Sequence, residues 1–309
     1  MSDSPPKEDK LIKLFRAIGK ERKKPMLLLR MATVMPESVA MVANELHSKT
    51  FNELDVVLHT PGGQIESAYK IVKLLRKHAK RINIIVPSFA KSAGTLICLS
   101  AETLVLTTTS ELGPLDVQIP EQQEGDIATF KSALNGYKSL EQIQNHAVEN
   151  LDLATKLILH RTGNQMRLQD VIKLAIEFSG NTSGCLYNQI HPKTITEYAR
   201  SLDIGAQYGV RILTRYMGWA LEKASAVVNR MVYDYPSHAF IIDSEELVAL
   251  GFSVENVQGN PEFIISMIGM MLDKRNQADN EIKLFNFAES PSKKRQHKKQ
   301  DEKQLQKIK

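Results

Sequence analysis

Two short segments hold residue types suited to acyl transfer: Thr60-Pro61-Gly62-Gly63-Gln64 and, about thirty residues on, Ala90-Lys91-Ser92-Ala93-Gly94-Thr95. Each follows an apolar run and opens a stretch of helical periodicity. The first sets backbone N–H groups at a strand–helix corner, and the second sets a serine hydroxyl at the next such corner. A nucleophile beside preorganised oxyanion donors is what acyl transfer requires. In the first segment the proline stiffens the corner and the glycines reach dihedrals closed to other residues. Lacking a Cβ, the Gly63 region can bring its N–H close to a substrate carbonyl. The same Pro-Gly-Gly also makes plain turns. In the second segment the small residues at 90, 93 and 94 permit a sharp turn that leaves the Ser92 hydroxyl at the positive end of a helix. The competing role for Ser92 is an N-cap. A third segment, Ser110-Glu111-Leu112-Gly113-Pro114-Leu115-Asp116-Val117-Gln118, follows the next apolar run. Its Gly-Pro forces a turn, with Asp116 beyond it as a turn residue or a catalytic one.

The elements that must position these segments follow from periodicity. Leu11, Leu14, Phe15 and Ile18 mark a basic amphipathic helix over 11–22. Strands are expected at Met26–Arg30, Leu54–Leu58, Ile82–Val86 and Thr103–Leu106. Between them come helices from Pro36 to about His47, from Ile65, and over Leu96–Ala101. Strands alternating with helices predict an α/β fold with a largely parallel sheet. Beyond about Glu121 helical periodicity dominates, through 138–178 and 194–230. Ser237–Ile242 then reads as a returning strand, Asp243 as the cap of a short helix ending at Gly251, and 262–288 as helical. The tail from Ser290 is Lys/Gln-rich and too poor in apolar residues to offset its ordering entropy.

Composition narrows the class. The 309 residues are 42% hydrophobic and 24% charged, with a formal charge of +5. Much of that excess lies between Lys293 and Lys309, where it could bind anionic partners weakly. Two cysteines, Cys98 and Cys185, make neither a disulfide framework nor a zinc set and fit a reducing compartment. The polar start lacks the apolar core of a signal peptide, and no run approaches the ~20 apolar residues of a membrane span. A soluble cytoplasmic protein with no transmembrane segment is expected. No G-x-G-x-x-G follows a strand and no metal-ligand spacing appears, so neither NAD, another cofactor nor a metal is expected.

Ala90–Gly94 resembles the small-x-Ser-x-Gly elbow of serine hydrolases. The order and spacing of residues 60–63, 90–95 and 112–118 resemble the ClpP/crotonase superfamily, and within it the serine dehydrogenase proteinase family, related to the signal peptide peptidases. The resemblance spans roughly 25–120 and 236–255. It implies a repeated ββα spiral with a largely parallel sheet, plus a helical C-terminal part. The corresponding plan is a basic arm at 1–24 and a core at 25–255 with a helical insertion at about 121–235. A C-terminal helix at 256–289 and a disordered tail at 290–309 complete it. It further implies an ATP-independent serine endopeptidase that acts on polypeptides as a homo-oligomer.

By the same resemblance Ser92 is the nucleophile, and the N–H groups of Gly63 and Ala93 form the oxyanion hole. The base stays open. The Clp protease subunit carries a histidine where this chain has Leu115-Asp116. This chain has His238 on the expected return strand, so His238 as base oriented by Asp116 is one arrangement. The signal peptide peptidases pair serine with a lysine, for which Lys138 and Lys131 are candidates, and His191 is a further candidate base. The competing roles are packing or capping for His238, solvated side chains for the lysines and a helix start for His191. Lys91 is expected to face solvent or an acidic substrate, and Cys98 to lie in the core. The alternative function is a non-proteolytic relative, either with acyl-thioester chemistry or as an inactive scaffold binding polyanions.

Overall fold

The computed structural model describes residues 9–115, 118–121, 129–275 and 279–285. The chain forms two compact units: Met1–Leu115 with Ala206–Lys309, and Asp116–Gly205. In the first unit the elements run α1 (Lys10–Arg22), β1 (Met26–Arg30), α2 (Pro36–Leu46), β2 (Phe51–His59), α3 (Ile65–His78), β3 (Ala79–Val86), β4 (Phe89–Ala90), α4 (Ala93–Cys98), β5 (Thr103–Leu106) and β6 (Glu111–Leu112). The second unit holds a hairpin of β7 (Gln118–Glu121) and β8 (Thr129–Ser132), then α5 (Ala133–Arg161) and α6 (Leu168–Tyr187). After α7 (Pro192–Arg215) the first unit resumes with α8 (Leu221–Asn229), a π-helical turn at Arg230–Asp234, α9 (Ser244–Ala249), β9 (Val254–Asn256), α10 (Asn260–Asp273) and β10 (Glu281–Phe285).

A six-stranded sheet in the order β10-β1-β2-β3-β5-β9 is parallel throughout except at β10. Because side chains alternate across a strand, register sorts them into two faces. The row Leu28–Val57–Ile85–Val105 joins one core cluster with Leu11, Phe15 and Ile18 of α1 and Ile264, Ile265, Ile268 and Leu272 of α10. The opposite row, Leu27–Val56–Ile84–Leu104, is equally buried. A parallel sheet sets the carboxyl ends of its strands at one edge. The corners after β2, β3 and β5, which contain the three sequence motifs, therefore share that edge. There they are stitched by short pairings: Val34 with Gly63, Thr60 with Ala90, β4 with β6, and Leu112 with Ile242.

Three expected elements differ. Ser237–Ile242 is a turn and not a strand, and only Ile242 pairs, as a single antiparallel bridge to Leu112. The helix at the elbow runs from Ala93 to Cys98 and ends before Ala101. The helical reading of 262–288 holds to Asp273, but Glu281–Phe285 pairs antiparallel with β1. Ile282 and Leu284 alternate with Lys283, a period of two that pairing with β1 favours over a helix. The expected disordered tail from Ser290 lies outside the described residues.

Midway along β2, opposite the first residue of β1, Asp55 is fully buried. It accepts from Asn83 Nδ2 at 2.7 Å and pairs with the Arg22 guanidinium, which also reaches Glu255 at 3.0 Å. Removing one partner of a buried pair strands the other charge. Asp55→Ala should therefore lower the unfolding free energy by about 3–5 kcal/mol in urea titrations. A change near zero would show the pair to be energetically neutral.

Candidate active site

Ser92 sits between β4 and α4 at φ 52° and ψ −113°, in a region that L-residues rarely enter. It occupies the N-cap position of α4, yet its side chain makes no capping hydrogen bond. That sets aside the capping role. The residue is 2% exposed. Strain of this kind is worth about 1–3 kcal/mol and persists only where the surroundings enforce it.

The enforcement comes from the preceding corner. The Thr60 N–H donates to Phe89 O at 3.3 Å, and the Lys91 N–H donates to Thr60 O at 3.1 Å. Gly62 and Gly63 stand at φ +119° and +144°. A Cβ on Gly62 would fall 2.9 Å from Ser92 Cβ and 3.4 Å from Ser92 Oγ. One on Gly63 would fall 2.5 Å from the Val34 backbone. Only glycine lets the Thr-Pro-Gly-Gly corner close on the serine. Thr95 Oγ1 lies 2.9 Å from Ala90 O and 2.7 Å from Gly113 O, joining the elbow to the third motif.

Among the described residues, the neighbouring backbone bonds bypass two donors. The Val34 N–H goes to Gly62 O and the Gln64 N–H to Val34 O, each at 2.8 Å. The Gly94 N–H goes to Lys91 O at 2.8 Å and the Leu96 N–H to Ser92 O at 3.0 Å. None of these uses the N–H of Gly63, or that of Ala93, which as the first residue of α4 has no intrahelical acceptor. Because α4 spans only six residues, individual N–H groups matter here more than a macrodipole.

The candidate bases fall in different places. His238 is half-buried in the turn Ser237–Phe240, closed by the Phe240 N–H to Ser237 O at 3.1 Å. Its expected place on a strand is therefore corrected: Tyr235 and Phe240 stack at 4.7 Å and close the segment into a turn. The Tyr235 hydroxyl donates to Glu246 at 2.6 Å, and Arg230 donates to the same oxygen at 2.8 Å. Burial, with Glu246 second, pushes the Tyr235 phenol up. Lys138 is half-buried on α5, and His191 is exposed just before α7; both belong to the second unit. Asp116 and the Lys131 side chain lie outside the described residues.

Lys91, expected to face solvent or an acidic substrate, is ion-paired with Glu111 at 2.7 Å. Cys98 is buried in the core, which pushes its thiol up and leaves it inert. Among the described residues no cluster of His, Cys, Asp or Glu could hold a metal ion, and no helix is long and apolar enough to cross a membrane.

The strained serine elbow and the glycine corner against it stand together at the carboxyl edge of the parallel sheet. Residues 41–174 match the family described as ClpP-like SDH-type serine proteinase. The uncharacterized protein MJ0137 of Methanocaldococcus jannaschii is 34% identical over 106 residues, covering 30% of this chain and 37% of its own. MJ1495 of the same organism, also uncharacterized, is 28% identical over 105 residues, 34% of each chain. The chain thus spans about a third of the curated relatives it matches. Two solved structures of the 1510-N membrane-bound stomatin-specific protease are also similar. A lysine-to-alanine mutant in complex with a substrate peptide has 17% identity and a TM-score of 0.27, covering 40% of this chain and 57% of that one. A serine-to-alanine mutant has 15% identity and a TM-score of 0.26, covering 46% and 64%.

His59, which the motifs did not single out, closes β2 immediately before Thr60. It is 5% exposed and its Nε2 lies 2.7 Å from Asp273. Burial holds its pKa below the ordinary value near 6.5, against the opposing pull of Asp273 and with a smaller push from Arg30. Unfolded chain therefore binds a proton that the folded site resists, and stability rises with pH. The His59 contribution is complete above about pH 6.5 and is lost as pH falls through the depressed folded value. The thermal midpoint should drop on acidification from about pH 7 to 5, and His59→Gln should flatten that drop. An unchanged slope in the variant would assign the effect to other groups.

Proposed function

We propose that this chain is a serine peptidase in which Ser92 forms an acyl-enzyme. Ser92 Oγ attacks the scissile carbonyl carbon as a general base takes its proton. The N–H groups of Gly63 and Ala93 receive the oxyanion, and the base returns the proton to the departing amine. Water then hydrolyses the ester by the same route and frees Ser92. The observation that carries this reading is the positive φ of Ser92, held against Gly62 with its side chain off the helix cap. Donors so placed are worth about 3–4 kcal/mol each in the transition state.

By the family resemblance, the reading extends to internal bonds of extended polypeptides without ATP coupling. Exposed Leu153 and Leu157 of α5, with Ile172 and Ile176 of α6, support assembly of several copies. Cys98 and Cys185 are both free, which supports a reducing, cytoplasmic setting. The basic stretch from Lys293 supports weak, salt-dependent contact with anionic partners.

A fluorophosphonate probe should label Ser92, mapped by peptide mass. Ser92→Ala should remove both the label and peptide hydrolysis with the thermal midpoint intact. Equal labelling of the variant sinks the assignment.

For the base we favour His238, with Asp116 orienting its ring, since the family resemblance brings that position toward the nucleophile and the Tyr235–Phe240 stack and Glu246 brace its turn. His238→Ala should cut turnover by at least on the order of 100-fold, while Lys138→Ala, Lys131→Ala and His191→Ala stay near wild type. A dead lysine variant beside an active His238→Ala would establish a serine–lysine dyad instead.

A further inference from the structure

Helix α10 ends on a carboxylate, at the negative end of the helix, where an acidic side chain is disfavoured. That carboxylate, Asp273, makes two contacts with parts of the chain far away in sequence. Oδ1 lies 2.7 Å from His59 Nε2, and Oδ2 accepts from Ser88 Oγ at 3.2 Å. His59 directly precedes the Thr60–Gly63 corner, and Ser88 lies four residues before Ser92. The two arms also touch each other, since the His59 and Phe89 rings meet with centroids 4.4 Å apart.

The helix end is itself anchored. Arg30, 4% exposed, donates to the carbonyls of Leu272 and Arg275 at 3.2 Å each and to that of Asp279 at 2.6 Å. Its guanidinium meets the terminal carbonyls and offsets the unfavourable placement of the aspartate. One turn back, α10 runs so close to the β3–β4 link that a Cβ on Gly269 would stand 2.5 Å from Pro87 O and 3.3 Å from Ser88 Cβ.

We propose that Asp273, through His59 and Ser88, is a positioning residue that clamps the oxyanion corner and the nucleophile elbow to one another. The proposal rests on Ser92 and Gly63 acting as read above. Gly63 and Ser92 sit on separate loops, and the productive spacing between donor and nucleophile is set by how those loops are held. The backbone bonds at Thr60 fix them near the sheet, and the carboxylate fixes them from the side of α10. Errors of about 1 Å in such spacing cost up to about 100-fold in rate, so a clamp at the roots of both loops bears on catalysis without touching substrate.

Asp273→Ala and Asp273→Asn in the full chain test this by two readouts. The first is hydrogen exchange of peptides covering 60–64 and 88–95, with β1 as internal control. The second is the rate of fluorophosphonate labelling, measured well below the thermal midpoint. Asn can accept from His59 through its carbonyl oxygen and donate to Ser88 Oγ, so it keeps the geometry and loses the charge. Asp273→Ala should speed exchange in both loops while β1 stays protected, and slow labelling by on the order of tenfold. Asp273→Asn should restore most of both. Unchanged exchange at the loops, loss spread evenly over the sheet, or an asparagine variant as impaired as alanine overturns the clamp. Selective loop exchange in a protein whose Ser92 never labels would keep the clamp and remove the nucleophile assignment.

Discussion

The site depends on a single steric interlock: Gly62 of the Thr60–Gly63 corner lies against the Lys91 carbonyl and the Ser92 side chain. Two hydrogen bonds at Thr60 bind the corner to the strand before the elbow. Gly62 then approaches the elbow, and Gly63 the backbone of Val34, so closely that neither position has room for a Cβ. Ser92 is thereby held at φ 52°, and its hydroxyl is kept from the cap of its own helix. Local preference at that position favours an extended N-cap geometry. Tertiary packing overrides it, which is how strain comes to be concentrated where chemistry is proposed.

The interlock needs a rigid foundation, and charge and packing supply it at opposite ends of the sheet. The Asp55–Arg22 pair with Asn83 ties α1 to the middle of β2 and β3, level with the amino ends of β1 and β5. Arg30 and Asp273 tie the end of α10 to the carboxyl ends of β1 and β2 and to Ser88. Between them the row from Leu28 to Val105 packs against α1 and α10. Buried ion pairs add little net energy against apolar replacements of similar shape. Their value here lies in register: each fixes one end of a helix against a particular strand.

Much of this was legible in the chain. The alternation of apolar runs with helical periodicity produced strands β1, β2, β3 and β5 and the helices between them, because periodicity reports local burial directly. The glycine corner and serine elbow were legible because turn chemistry is written in a few adjacent residues. The segment around His238 was not. Its apolar-rich pattern suits a strand, but the ring stack of Tyr235 on Phe240 turns it back, and only Ile242 finds a partner. Strand β10 was equally hidden: an alternation over only five residues is too short to read, and it becomes a strand only because the edge of β1 is open to it.

What the sequence by itself determined is the set of local devices: where the strands end, which glycines make the corner, and which serine opens a helix. These depend on neighbours within a few residues. Tertiary structure alone decided that Ser92 would not cap, that Lys91 would pair with Glu111, and that an aspartate 214 residues from His59 would grip it. Those outcomes follow from which strand ends lie side by side and which helix crosses them. Contacts so distant along the chain leave no periodicity or spacing to read, because their loop-closure entropy is offset only once the whole sheet has formed.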